Sequence, residues 1–221
     1  MTHELTLQAI EPVTHDTYWL RFDRPDGFEF EPGQAVDLAF QKEGIKQEER
    51  AFTMVSDPAA ETVEFVIKSY PDHDGVTEVL PELSEGVRAT SEEPFGAIKD
   101  HGPGVFLAAG AGITPFIAIL DKHAREGVTG DHLIFANKAD RDIILKDKWD
   151  KMSGVKSVYV VEDEATDHVQ GRIDKDLLTA EVEGLDQPFY ICGPGGFVDA
   201  CRDALRDMGV KDNHIITEDG W

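Results

Sequence analysis

Two turns in the second half of the chain carry the residue types that hold an anion. "FLAAGAGITPF", Phe106 to Phe116, is an apolar run broken by Gly110 and Gly112 that resumes, after Thr114 and Pro115, as a helical pattern. Proline suits the first turn of a helix and Thr114 can cap it, which leaves backbone N–H groups pointing at whatever binds there; a pyrophosphate is stabilised by such a turn. The run looks like a G-x-G-x-x-G dinucleotide fingerprint with Pro115 in place of the third glycine, and a plain tight turn is the alternative reading. "YICGPGGF", Tyr190 to Phe197, repeats the arrangement with Gly193 and Pro194. It sets Cys192 at a strand tip, either beside a ligand or as a small buried apolar side chain.

The first half offers weaker signals. In "ERAFTMVSDP", Arg50 and Phe52 alternate with Ala51 and Thr53, so a strand there shows a cation and an aromatic on one face and a hydroxyl on the other. Taken alone, this is equally a half-exposed edge strand. "HDGVTEVL", His73 to Leu80, is a glycine turn leading into a short helix with Thr77 in its first turn, a place for a phosphate or for a helix cap without a ligand.

The elements that must position these residues fall into two halves. "ELTLQAI", "TYWLRF", "QAVDLAF", "RAFTMV", "TVEFVIK" and "GVRAT" read as short strands, with turn chemistry in "RPDG", "EPG" and "SDPAAE" and one short helix in "GVTEVLPEL". That spacing favours an antiparallel barrel or sandwich. From about His101 strands alternate with helices, beginning with "GVFLAAG", "TPFIAILDKHARE" and "DHLIFAN" and closing with "PFYIC", "PGGFVDACRDALRDMG" and "NHIIT". The alternation implies a parallel sheet covered on both faces, with its two glycine turns along one rim. The glycines and proline of "KDHGPG" mark a boundary between a domain over 1–100 and a second over 101–221.

Composition excludes several functions. The formal net charge of −23 comes from acids spread through the chain, as in "EDEATDH" and "SEEPF". An anionic surface argues against nucleic acid and anionic membranes as partners and fits a solubility adaptation, to high salt among others, better than a specific cationic partner. The two cysteines, Cys192 and Cys201, cannot ligate the usual four-cysteine iron–sulfur cluster or a zinc site. With no long apolar segment and no basic, apolar leader, the expected setting is cytoplasmic.

Six motifs in order resemble the ferredoxin–NADP reductase family of flavoprotein oxidoreductases, over nearly the whole chain. "EPGQAVDL" looks like the family's P-G-Q, "RAFTMVS" its R-x-Y-S-x-x-S flavin motif, "GVT" its pyrophosphate turn and "EEPFGAI" its G-P-F-G. "GAGITP" looks like the nicotinamide-nucleotide loop and "CGPGGF" the C-G-P. In that family's loop Pro115 is the expected residue. The resemblance implies a Greek-key β-barrel flavin domain followed by a Rossmann-like nucleotide domain. It implies a flavin pocket of Arg50, Ala51, Phe52, Thr53, Val66 and Lys68, with Arg50 on a flavin phosphate, Phe52 against the ring or ribityl chain and Thr53 near N5. The sequence departs from R-x-Y-S twice, Tyr to Phe and Ser to Thr. Gly75, Val76 and Thr77 hold the pyrophosphate on this reading, which favours FAD over FMN. Gly110, Gly112, Thr114, Gly193 and Pro194 hold the nicotinamide nucleotide on this reading, and Cys192 lies near nicotinamide C4 and flavin N5, the two atoms between which hydride passes, in a positioning role. Trp221 resembles the terminal aromatic that covers the flavin; a merely surface-packed tryptophan is the plain alternative. Thr53, Cys192 and Trp221 are thus the expected catalytic set.

NADPH-using members carry a serine and an arginine where this chain has Glu162 and Asp163, so NADH is the expected reductant and NADPH the lesser one. The implied reaction passes a hydride from NADH to FAD and then single electrons to a separate small redox protein such as ferredoxin or flavodoxin, whose acidity makes docking on this surface awkward. Two other readings are a reductase that uses free flavin as substrate and a nucleotide-responsive binding subunit without turnover.

Overall fold

The computed structural model describes residues 2–42, 48–70, 75–96 and 98–218. Six strands form the first sheet: β1 (His3–Pro12), β2 (Thr17–Asp23), β3 (Ala35–Gln41), β4 (Arg50–Thr53), β5 (Thr62–Lys68) and β6 (Arg88–Ser91). Their order is β4-β3-β6-β1-β2-β5, with every pairing antiparallel. An irregularity between Leu7 and Ala9 bends β1, so that its first half pairs with β6 and its second with β2. A bridge between Met54 and Phe65 brings the two outer strands together, and the sheet becomes a nearly closed barrel. Leu5, Leu20, Phe22, Leu38, Phe40 and Phe65 fill it, each essentially without solvent contact. At roughly 1.5–3 kcal/mol for each such side chain, this core fixes the inward face of every strand.

The expected helix over 75–83 is absent. A turn closed by the Glu78 N–H on the Gly75 carbonyl (3.0 Å) is followed by a single 3-10 turn at Leu80–Glu82. Pro81 sits where a longer helix would need an N–H donor.

The second sheet is wholly parallel, in the order β10-β9-β8-β7-β11-β12. Its strands are β7 (Val105–Ala109), β8 (Asp131–Asn137), β9 (Val155–Val161), β10 (Val169–Gln170), β11 (Phe189–Cys192) and β12 (Ile215–Ile216). The helices are α1 (Thr114–Glu126), α2 (Lys146–Lys151), α3 (Lys175–Glu181) and α4 (Gly195–Met208). Pro115 opens α1, and Gly127, at φ +72°, ends it in the left-handed conformation that favours glycine. Asp174 caps α3 by accepting from the Leu177 N–H. One face of the sheet packs on α3 and α4 through Leu178, Val198, Cys201 and Leu205. The other packs on α1 and α2, and the same apolar cluster takes in Val55, Val66 and Ile98 from the barrel side. Among the described residues no helix is long and apolar enough to cross a membrane.

Candidate active site

From β7 the chain proceeds outward through β8, β9 and β10, then returns to place β11 on the other side of β7. The reversal opens a crevice at the carboxyl ends of β7 and β11, where open α/β sheets bind ligands. Both glycine turns lie there and touch. A Cβ on Gly112 would stand 2.3 Å from the Cys192 carbonyl oxygen and 2.7 Å from the Gly193 Cα, so only glycine lets the loops approach this closely.

Two helices start at this crevice. A 3-10 turn over Gly110–Ile113 leads into α1, and Pro194 immediately precedes α4. The Thr114 hydroxyl does not cap α1 as the sequence suggests; it donates to the Ala111 carbonyl (3.0 Å) because Thr114 already lies inside the helix. Neither helix has a side-chain cap or an acidic residue in its first turn. In a chain of net charge −23 that leaves two positive helix ends open to an anion.

Cys192 ends β11, is 7% exposed and belongs to the cluster shared with Val55 and Val66 of the barrel. Its thiol donates to Oε1 of Glu218 at 3.5 Å. Burial, reinforced by the adjacent carboxylate, pushes the thiol far above its ordinary value, so it stays protonated and is no nucleophile. Burial alone pushes Cys201 to about 12. Iodoacetamide at about pH 8 is therefore expected to leave both cysteines of the native chain intact and to label both after unfolding in urea, as read by intact mass. Rapid labelling of Cys192 in the native chain would contradict the neutral-thiol description.

On the barrel side, Thr53 ends β4 beside Ala35, two residues before Val55. Cys192 and the end of β4 thus border one apolar cluster. The Arg50 side chain is 56% exposed and pairs with Glu48 at 2.6 Å; Ala51 is exposed beside it. Phe52 pairs with Val36 and Arg50 with Leu38, which keeps the two on one face of β4, and Phe52 is half-buried against the barrel core. Phe95, 41% exposed, bridges Ala35 and so stands one strand from Thr53. An exposed aromatic one strand from a hydroxyl suits a flat ring, and the accessible guanidinium at the start of β4 suits a phosphate.

Val66 lies buried in the shared cluster. Lys68 pairs with Asp16 at 2.8 Å. Burial raises the Asp16 carboxyl, but hydrogen bonds from Lys68 and Thr14 outweigh it and hold the group below its ordinary value. Gly75 forms the turn already described, Val76 is buried in the barrel core and Thr77 is half-buried. Trp221 and His73 lie outside the described residues. Glu162 and Asp163 follow β9 against the tip of β8, the Glu162 N–H donating to Asn137 O (3.1 Å) and the Asp163 N–H to Lys138 O (2.8 Å). The Glu162 carboxylate also accepts from Arg172 Nε at 2.7 Å.

Three residues of this rim escape sequence reasoning: Glu218, Arg172 and Asn137. Glu218 was findable from strand register. β12 pairs Ile215 with Phe189 and Ile216 with Tyr190, and two more residues along the same register bring Glu218 level with Cys192.

Residues 4–99 match the model of the oxidoreductase FAD-binding domain, and residues 106–203 match that of the oxidoreductase NAD-binding domain. The chain belongs to the ferredoxin reductase-like family of FAD- and NAD-binding oxidoreductases. Within this family it is 30% identical to the ferredoxin reductase component of a 3-ketosteroid-9-alpha-monooxygenase from Mycolicibacterium smegmatis, over 98% of this chain and 65% of that one. NADH-cytochrome b5 reductase 1 of Ajellomyces capsulatus is 29% identical over 93% of this chain and 74% of its own length. The CS-b5R domains of human Ncb5or, in the NAD+ form, superpose with a TM-score of 0.86 at 26% identity, covering 98% of this chain and 69% of that one. The chain spans 65, 60 and 67% of the length of the first three curated relatives. The glycine loop ending at Pro115 lies within the stretch matched to the NAD-binding domain.

Proposed function

We propose that the protein takes a hydride from NADH onto FAD and delivers electrons singly to a separate redox protein such as a ferredoxin or flavodoxin. The observation that carries this reading is the contact of the two glycine loops at the crevice, with Cys192 and the end of β4 on one apolar cluster. When bound, FAD supplies the capacity to accept two electrons as hydride and release them one at a time.

The chain's own residues do the rest. Arg50 holds a flavin phosphate by charge-assisted bonds once it leaves Glu48, and Thr53 offers its hydroxyl to the ring edge. The N-termini of α1 and α4 take the nicotinamide pyrophosphate. Cys192, kept neutral and backed by Glu218, fills the junction without adding charge and keeps water from it. Glu162 and Asp163 favour a ribose hydroxyl over a phosphate. We take 1–100 as the flavin domain and 101–221 as the nucleotide domain, and a cytoplasmic setting, in line with the two free thiols.

The test is a visible spectrum of the purified protein, followed anaerobically after addition of NADH or, separately, NADPH. Fast bleaching by NADH and slow bleaching by NADPH is expected. A protein that holds no flavin but reduces added flavin would point to flavin as substrate; one that stays yellow with both nucleotides would be a binding subunit.

A further inference from the structure

We propose that His123 is a positioning residue for hydride transfer: it clamps the segment joining the two sheets and so fixes how the flavin barrel faces the glycine loops. The inference rests on the hydride reading above and adds a device remote from the reacting atoms.

Residues 98–104 lead from the barrel into β7 and are held from both sides. On the barrel side, Gly33 comes so close that a Cβ there would stand 2.2 Å from the Ile98 carbonyl oxygen and 3.2 Å from Ile119 Cδ1 of α1. Ile98 itself is buried in the cluster shared by the two halves. On the side of the parallel sheet, the Tyr190 hydroxyl accepts from the His101 N–H at 2.8 Å and donates to the Gly102 carbonyl at 2.7 Å, while the Gly104 N–H donates to Asp131 at 3.2 Å. Ile119, Lys122 and His123 follow the i, i+3, i+4 spacing that sets three side chains on one face of α1, and this face meets the segment. One oxygen of Asp100 takes Lys122 Nζ at 2.7 Å; the other takes His123 Nε2 at 3.0 Å and the Gly102 N–H at 2.8 Å.

The two ring nitrogens of His123 fix its charge. Nδ1 lies 2.8 Å from Asp131 and Nε2 3.0 Å from Asp100, and both partners are carboxylate oxygens. A neutral imidazole has one N–H and serves one of them; the imidazolium serves both. The other groups around the ring are Phe106 from β7 and, through the two carboxylates, Lys122 of α1 and the Tyr190 hydroxyl of β11, with Glu31 and Glu126 acting on Lys122. Burial holds the Tyr190 phenol well above its ordinary value, and the bond to Asp100 raises Lys122. On the alkaline side His123, raised to about 9 by its bonds to Asp100 and Asp131, is therefore the first of these three to change charge.

Once neutral, His123 keeps the bond to Asp131, which is fully buried and has, among the described residues, only the Gly104 N–H besides. Asp100, 15% exposed and still served by Lys122 and Gly102, is the carboxylate it releases. The segment then loses its buried tie to α1 and keeps only the more exposed Lys122 bond. Asp131 opens β8, so this knot lies at the amino end of the sheet, the far end from the glycine loops. Its effect on the reaction runs through the alignment of the two halves, where a displacement of about 1 Å is worth about 100-fold in rate.

The experiment uses the purified full chain and its His123→Gln and Asp100→Asn variants, with two readouts. Anaerobic stopped-flow at saturating NADH follows flavin reduction from about pH 7 to about pH 10, and deuterium exchange follows residues 98–104. In the native chain the reduction rate is expected to fall about tenfold with a midpoint at about 9, and exchange of 98–104, corrected for its intrinsic pH dependence, to quicken over the same window. Both variants should reduce slowly and exchange fast at about pH 7 already and show no step, with the KM for NADH within about twofold of native. The native step tests the proposal even where a variant does not fold. Reduction at the native rate in both variants, a native rate flat across the window, or a rate that falls while exchange stays unchanged overturns the proposal and leaves the hydride reading standing. A native chain that NADH reduces at no pH overturns both.

Discussion

Replacing His123 with alanine is expected to cost roughly 3–5 kcal/mol of folding stability, read as a lower urea midpoint at neutral pH. His123 lies on α1 with a side chain only 3% exposed, its Nδ1 2.8 Å from Asp131 Oδ2 and its Nε2 3.0 Å from Asp100 Oδ1. Asp131 opens β8, Asp100 lies in the segment joining the two sheets, and Lys122 pairs with Asp100 at 2.7 Å. The N–H groups of Gly102 and Gly104 donate to the same two carboxylates. Without the imidazole, the fully buried Asp131 carboxyl would be left, among the described residues, with only the Gly104 N–H as a partner. The bond to Asp100, then that to Asp131, raises His123 from 6.5 to about 9 against the opposing effect of burial. A raised folded value means the contribution, about 3 kcal/mol, is complete below the unfolded value of 6.5 and lost as pH rises through about 9. Asp100 behaves oppositely. Its bond to His123, helped by Lys122 and Gly102 against burial, holds it well below 3.8, so its contribution is present above 3.8 and lost as pH falls through the depressed folded value. The native protein should therefore lose stability between about pH 7 and 9 and His123→Ala should not. A native curve flat across that window would dispose of the charged-histidine description.

Gly112→Ala is expected to slow NADH-driven flavin reduction by about 100-fold while leaving the flavin spectrum and the fold in place. The added methyl must occupy space 2.3 Å from the Cys192 carbonyl oxygen, a backbone atom that cannot rotate away. The two loops then separate, and both helix ends shift relative to Cys192. Gly110→Ala is the matched control. Its Cβ meets nothing within 4 Å, but the backbone at φ +52° is left-handed, so that change should cost stability, about 1–2 kcal/mol, more than rate. Stopped-flow traces at saturating NADH separate the two, and equal rates for Gly112→Ala and the native chain would remove loop contact from the explanation.

What could be read in advance follows the range of the interactions involved. Helix α1 runs from Thr114 to Glu126 as its pattern indicates, because proline at the start and glycine after the end are local signals. The parallel sheet and the place of both glycine loops along one rim follow from alternation of strand and helix, which is local as well; the strand order and the contact of the loops came only with the fold. The His123 cluster was not legible: its carboxylates come from Asp100 and Asp131, and only the folded sheet brings the linking segment, a helix and a strand start together. The pairing of Glu162 with Arg172 escaped for the same reason, since the short β10 between them carries no periodicity. Thr114 was misassigned by one helical position, enough to turn its hydroxyl from a cap into an internal bond. Alternation places Arg50 and Phe52 on one face of β4, but that this face is the one turned to the barrel core, opposite Val36 and Leu38, needed the strand register.

The apolar cluster that takes Val55, Val66 and Ile98 from the barrel and Phe116, Leu133 and Cys192 from the parallel sheet has a consequence for modularity. A boundary drawn in sequence near residue 100 does not divide the hydrophobic interior, so each half severed there would present a sticky face instead of a finished surface. Melting should accordingly be a single cooperative event for both halves. A nucleotide half transplanted from a relative would need its side of this shared interior recut to fit before the two could act as one molecule.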